Sequence, residues 1–281
     1  MRIGGHLPSK DPLAAADRLG LDVVQLHVSS PRTWQAPRPR VDADDLAASG
    51  RVVAVHAPYL CNPASADPQV RARSAVLLQQ TIDVAATVGA GGVVVHAGQA
   101  GAHGSVADGV ARWIELLPRL HGTVPLWIEN TASGQASVGR HLDGIAALFD
   151  AVRSCASSLR IGACLDTAHA FAADAAAARD PGGWVERFVA VTGGVDLVHV
   201  NDSAAPAGSG RDRHANLGAG VMSLSTIAEM VAAADAPAAV LETPGYDDRR
   251  TQDAEILRYL ADVGGRPRPA HHDRVRSTAP A

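Results

Sequence analysis

Apolar positions along the chain follow two alternating rhythms. Short, mostly β-branched runs recur at Arg2–Gly5, Val23–Val28, Val52–His56, Val93–His96, Leu126–Glu129, Ile161–Asp166, Leu197–Val200 and Ala239–Glu242. Most are apolar with few breaks, the pattern of strands in a parallel sheet covered on both faces. Between them lie longer stretches with apolar residues at helical spacing: Pro12–Leu19, Val70–Val88, Val106–Leu120, His141–Cys155, Trp184–Val191, Ser225–Ala234 and Asp253–Val263. Asp11 supplies an N-cap ahead of Pro12 at the first helical position, and alanine-rich composition favours helix in several of the others. Repeated βα units in this number predict an α/β fold of the TIM (β/α)₈ barrel type rather than an open doubly wound sheet. No GxGxxG follows the first strand and no GxxxxGK[ST] occurs, so the motifs of the common nucleotide-binding sheets are missing.

The rhythm stops near the end. Residues 1–263 are expected to form a single barrel domain, and 264–281, GGRPRPAHHDRVRSTAPA, a disordered Pro- and Arg-rich tail. Arg266, Arg268, Arg274 and Arg276 in that tail offer contacts to phosphates, against a plain reading as solvated surface. The His271–His272 pair lacks further ligands and is not expected to hold a metal. The length of 281 residues suits one barrel, and 47% hydrophobic with 19% charged residues suffices for a core. No run approaches the ~20 apolar residues that span a bilayer, and the first twelve residues carry no apolar signal region. Cys61, Cys155 and Cys164 form no CxxC pair, which fits a reducing, cytoplasmic setting and small buried hydrophobes.

The chemistry is carried by what ends each strand, because barrel active sites sit at the C-terminal ends of the strands. Strand three ends in His56, strand four in His96, strand five in Glu129, and strand six in Asp166 followed by His169. Strand seven ends in HVND with His199, strand eight in LETP with Glu242, and the loop after strand seven adds Asp212 and His214 in GRDRH. One histidine after an apolar run is more often a hydrogen-bonded core residue than a ligand. Six successive strands ending in such groups would leave a costly polar mouth without a compensating partner. Metal cations compensate it, and a His/Asp/Glu set without cysteine fits hydrolytic zinc or another borderline divalent metal. Nine candidate ligands are too many for one tetrahedral ion and suit two or three. Asp212 and His214 are two apart in an extended loop, so both can face one ion.

With these residues assembled, the sequence resembles the endonuclease IV family (AP endonuclease family 2, deoxyribonuclease IV). RIGGH at Arg2–His6, VHAPYL, IENTA, CLDTAHAFAA, HVND, GSGRDRHANLG and LETP stand in the family's order and cover all but the tail. The resemblance implies a zinc-dependent DNA repair enzyme with its metal site at the C-terminal mouth of the barrel. It implies hydrolysis of the phosphodiester 5′ to an abasic site, leaving a 3′-hydroxyl and a 5′-deoxyribose phosphate. It implies three zinc ions, with manganese as an alternative at one site: His56, His96 and Glu129 at the first; Glu129, Asp166, His199 and Glu242 at the second; His169, Asp212 and His214 at the third. Glu129 is then the candidate catalytic residue, as a bridging ligand, and no side-chain nucleophile is required. The implied partner is double-stranded DNA containing abasic sites, bound by a monomer, with no membrane involved. Arg32, Tyr59 and Leu60 match DNA-contacting positions, and Trp34 is as well read as packing. A net charge of −4 is unusual for a DNA-binding enzyme, and three divalent cations would reverse its sign in the cleft.

The sequence departs from the family's usual pattern in HAGQ at His96–Gln99, Ala219, and HVSS at His27–Ser30, with His27 read as a core or supporting residue. The alternative reading is a metal-dependent sugar isomerase or epimerase of the xylose-isomerase type, which shares the barrel but generally uses fewer ligands. The Asp212–Arg213–His214 run together with His169 separates the two. A non-enzymatic barrel would be expected to have lost a bridging or paired ligand, and Glu129 is present.

Overall fold

A computed structural model of the protein describes residues 1–245 and 248–264. The arginines and the histidine pair at 266–276 lie outside the described residues. The strands are β1 (Arg2–His6), β2 (Val23–Leu26), β3 (Val52–His56), β4 (Gly92–His96), β5 (Leu126–Glu129), β6 (Ile161–Asp166), β7 (Leu197–His199), β8 (Asp202–Ser203), β9 (His214–Ala215) and β10 (Ala238–Leu241). Eight of them close into a parallel barrel in the order β1-β10-β7-β6-β5-β4-β3-β2, and β8 pairs with β9 as a small antiparallel ribbon beyond the barrel. The TIM-barrel expectation is met, with strand limits within about two residues of the apolar runs.

The outer layer is α1 (Pro12–Leu19), α2 (Ala43–Ala48), α3 (Pro68–Thr87), α4 (Val106–Leu116), α5 (Leu142–Ser154), α6 (Thr167–Ala173), α7 (Ala175–Arg179), α8 (Pro181–Thr192), α9 (Leu224–Ala234) and α10 (Asp248–Gly264). Asp67 caps α3, with its side chain accepting from Gln69 N ahead of Pro68, so that helix starts before Val70. α4 gives way after Leu116 to a 3₁₀ turn, Leu117–Arg119, because Pro118 offers no backbone donor.

One large apolar layer fills the space between strands and helices, including Leu26, Val55, Leu78, Trp113, Leu148, Trp184, Phe188 and Leu257. A second, smaller cluster fills the barrel itself: Val23, Ala54, Val94, Trp127, Cys164, Leu197, Ala238 and Val240. Gly92 makes room for the Trp127 ring, since a Cβ there would fall 2.2 Å from it. Burial pushes the thiols of Cys61 and Cys164 up to about 12, consistent with inert, buried cysteines. Where β1 and β10 close the barrel, Arg250 of α10 donates to the carbonyls of His6, Leu241 and Thr243 and clips the two strand ends together.

Candidate metal centre

Side chains alternate along a strand, so the residue two places after each floor residue faces the same barrel interior, one layer higher. That step leads from Val23 to Gln25, Ala54 to His56, Val94 to His96, Trp127 to Glu129, Cys164 to Asp166, Leu197 to His199 and Val240 to Glu242. On β1 the same register gives His6, two after Gly4 and opposite Gln25. The mouth is therefore a complete ring of polar side chains, one per barrel strand. The sequence reading named six members and missed His6 and Gln25. Strand two ends at Leu26 rather than Val28, so its inward mouth residue is Gln25, and His27 lies outside the ring.

Glu129 stands at the centre, fully buried. Its Oε2 lies 3.3 Å from His56 Nε2 and 3.2 Å from His96 Nε2. Its Oε1 lies 2.8 Å from His199 Nδ1, which is also 3.2 Å from Glu242 Oε2. On the far side, His169 Nε2 and His214 Nε2 each stand 3.2 Å from an oxygen of Asp212, and His214 Nε2 is 3.7 Å from Asp166 Oδ2. The structure thus brings all nine expected ligands together. Among the described residues, three overlapping groups have ligand atoms within 4.8 Å of one another: His56, Glu129 and His199; Glu129, Asp166, His199 and Glu242; and Asp166, His169 and His214.

The donor atoms themselves fit metal ions. His56 Nδ1 donates to the Ala57 carbonyl at 2.7 Å, and His169 Nδ1 donates to the Asn130 carbonyl at 2.9 Å. A carbonyl accepts only, so in each neutral ring the proton sits on Nδ1 and the Nε2 lone pair faces a carboxylate. Lone pair against carboxylate is repulsive without a cation between them. Glu129 Oε2 and His214 Nε2 are buried with no hydrogen-bond partner, the signature of atoms reserved for something else. The outer contacts that orient ligands in metal sites are also present.

Those outer contacts come from residues next to the ligands in sequence. Asn130, following Glu129, accepts from Asp166 N and donates to the Asp166 carbonyl. Asn201 donates to Asp166 Oδ2 at 2.7 Å and accepts from Glu242 N at 2.9 Å. Asp166 caps α6 by accepting from His169 N at 2.7 Å, so strand passes to helix with no loop and His169 falls in the first turn. Asp202 holds the loop that carries Asp212 and His214. Its carboxylate accepts from the backbone N–H of Ser203, Gly218, Gly220 and Met222 at 2.7–3.0 Å. The sequence signal for these supporting residues is their place one to three positions after an expected ligand, in IEN and HVND.

Electrostatics follow from packing so many groups together. Burial opposes the charge on Glu129, but His199 and His96 hold its carboxyl well below the usual range. Burial likewise opposes a proton on His214, yet Asp166 and Asp212 lift it to about 9. Burial, with His6 and His56 nearby, pushes His27 down to about 2, so it stays neutral, donating through Nδ1 to the His56 carbonyl.

The family model described as xylose isomerase-like TIM barrel matches residues 13–263. Probable endonuclease 4 of Mycobacterium ulcerans is 46% identical over 92% of this chain and 98% of its own length, and that of Mycobacterium leprae matches equally. The crystal structure of endonuclease IV from Thermus thermophilus superposes with a TM-score of 0.77 at 28% identity, covering 94% of this chain and all of that one. The chain belongs to the endonuclease IV family. A D-tagatose 3-epimerase-like protein also superposes, with a TM-score of 0.73 over 94% of this chain and 98% of its own, but at 17% identity that likeness shows the barrel alone.

In this endonuclease IV family member, a cleft of about 530 Å³ opens beside the centre, lined by Trp34, Tyr59, Leu60, Gln99, His96 and Asp212 among others. Tyr59 is 51% exposed, and its ring stacks over His96 with centroids 5.9 Å apart. Tyr59 N donates to the Pro31 carbonyl, tying this loop to the one that carries the exposed Arg32. Trp34 packs in part: the Arg73 guanidinium lies 5.9 Å from its ring centre. The HAGQ departure has a structural role. Gln99 Oε1 accepts from Gln135 N, and Asn62 pairs with the Gln99 backbone through both its amide atoms, joining three loops into one wall. Nothing in the structure explains Ala219.

Proposed function

We propose that the chain is a DNA repair endonuclease that hydrolyses the phosphodiester 5′ to an abasic site in double-stranded DNA. The observation that carries this is the set of imidazole lone pairs turned onto buried carboxylates, joined to the family membership. His56, His96 and Glu129 would hold one ion, Glu129, Asp166, His199 and Glu242 a second, and His169, Asp212 and His214 a third. Zinc fits this donor set at all three, with manganese the alternative at one. Such ions, when bound, supply a nucleophile at neutral pH and neutralise charge at the phosphate.

The protein's own part is to bind and orient. Glu129, with Oε2 turned toward His56 and His96 and Oε1 toward His199, would serve the first two ions together, and its depressed pKa keeps it ionised and unable to donate a proton. Arg32 would hold a phosphate, and Tyr59 and Leu60, which line the cleft, would fill the stack that an abasic nucleotide leaves. A sugar without a base costs little to turn out of the duplex, which selects the lesion. The protein works as a monomer in the cytoplasm, and no described helix is long and apolar enough to cross a membrane.

An end-labelled duplex with one tetrahydrofuran analogue tests this. Incision 5′ to the analogue is expected, leaving a 3′-hydroxyl that a DNA polymerase extends, while an intact duplex survives. Glu129→Gln should lose on the order of 10³-fold or more in rate, about 4 kcal/mol of transition-state stabilisation. Metal-loaded protein that leaves the analogue uncut would overturn the proposal.

A further inference from the structure

Of the ring residues, His6 and Gln25 belong to neither the ligand set nor the DNA contacts, and Gln25 is the one whose amide bonds two of the expected ligands, Glu242 and His199. It is fully buried on β2, and every polar atom of its amide is engaged. Nε2 lies 2.6 Å from Glu242 Oε1 and 3.0 Å from His6 Nδ1, and Oε1 lies 2.9 Å from His199 Nε2. The amide can face only one way. Glu242 accepts and never donates as a carboxylate, so the nitrogen must point at it and the oxygen at His199. An amide oxygen accepts only, so His199 must carry a proton on Nε2. The atom left to the cluster is then Nδ1, which already faces Glu129 Oε1 and Glu242 Oε2. The same amide occupies Glu242 Oε1 and leaves Oε2 turned toward His199.

We propose that Gln25 is a positioning residue of the metal centre: it fixes His199 to coordinate through Nδ1 and Glu242 through Oε2. The inference rests on the metal reading given above. His199 differs in this from His56 and His169, whose Nδ1 atoms are tied to main-chain carbonyls and whose Nε2 atoms face the cluster. A main-chain tie comes with the fold, whereas the amide acceptor on His199 Nε2 is a side chain that one substitution removes. Its loss should therefore show at one metal site. Gln25→Leu keeps the size and removes every hydrogen bond, while Gln25→Glu keeps an acceptor for His199 but sets a second carboxylate against Glu242.

Long-range ¹H–¹⁵N NMR of the imidazoles in zinc-loaded protein reads the tautomer directly, with His199→Asn identifying the His199 signals. His199 is expected to carry its proton on Nε2 with Nδ1 bound to metal. A proton on Nδ1 with Nε2 bound overturns the proposal without any Gln25 variant. In Gln25→Leu, zinc release to a chelator should quicken by ~10–100-fold for one ion per chain, with the Nε2–H signal of His199 lost to exchange and the far-ultraviolet dichroism unchanged. Gln25→Glu should restore the Nε2–H signal. Wild-type release rates and an unchanged His199 signal in folded Gln25→Leu would remove Gln25 from this role and leave the metal reading standing. A wild-type protein that binds no zinc would remove both.

Discussion

A histidine at a strand end says little alone, and what decides its role is where its second nitrogen goes. His56 and His169 give that nitrogen to main-chain carbonyls, His199 gives it to Gln25, and each is left with a lone pair aimed at carboxylates. Without metal, protons must do the work of cations. His214 is the clearest case, lifted from 6.5 to about 9 by Asp166 and Asp212 against the opposing effect of burial. A pKa raised by folding stabilises the fold below the unfolded value and ceases to do so as pH climbs through the folded one. Chelator-stripped protein should therefore lose thermal stability as pH rises from 6.5 to 9, while its apparent affinity for zinc increases over the same range because fewer protons compete. Differential scanning fluorimetry and competition with a zinc indicator would show this. A melting temperature of the stripped protein that rises across the window would contradict it.

At the scale of elements, the third ligand group depends on a loop rather than a strand, and Asp202 gives that loop its shape. Four backbone donors converge on one buried carboxylate. Asp202→Asn replaces one acceptor oxygen with a donor facing donors. It should cost about 2–4 kcal/mol in denaturant unfolding, weaken one metal by ~10–100-fold and expose residues 204–221 to proteases. Unaltered metal retention would show that Asp212 and His214 hold their places without it. Helices were unevenly legible at this scale. α6 shows no amphipathic stripe because all seven of its residues are buried. α2 buries only Leu46, and α7 is five residues of mostly alanine, so neither carries a helical period to read.

For the whole molecule, the barrel was legible because apolar runs alternate with helical stretches in eight βα units, and the strand parity that aims the strand-end residues into one mouth emerges only in the fold. Nine candidate ligand positions could be named from residue type and place, since His, Asp and Glu advertise metal chemistry. Gln25 could not, because glutamine is not a usual ligand type and the apolar run of strand two continues past Leu26, which draws the eye to His27. IEN and HVND set Asn130, Asn201 and Asp202 near expected ligands, but what each one bonds is visible only once β6, β7 and β10 stand side by side. The ring also explains how an acidic chain can serve DNA: positive charge would come from the bound ions, concentrated in one cleft. The most direct measurement is a titration of stripped protein with zinc, following incision at a single tetrahydrofuran site. Activity is expected to rise to a plateau at three equivalents per chain. Full activity after one equivalent, or none at saturating zinc, would contradict it.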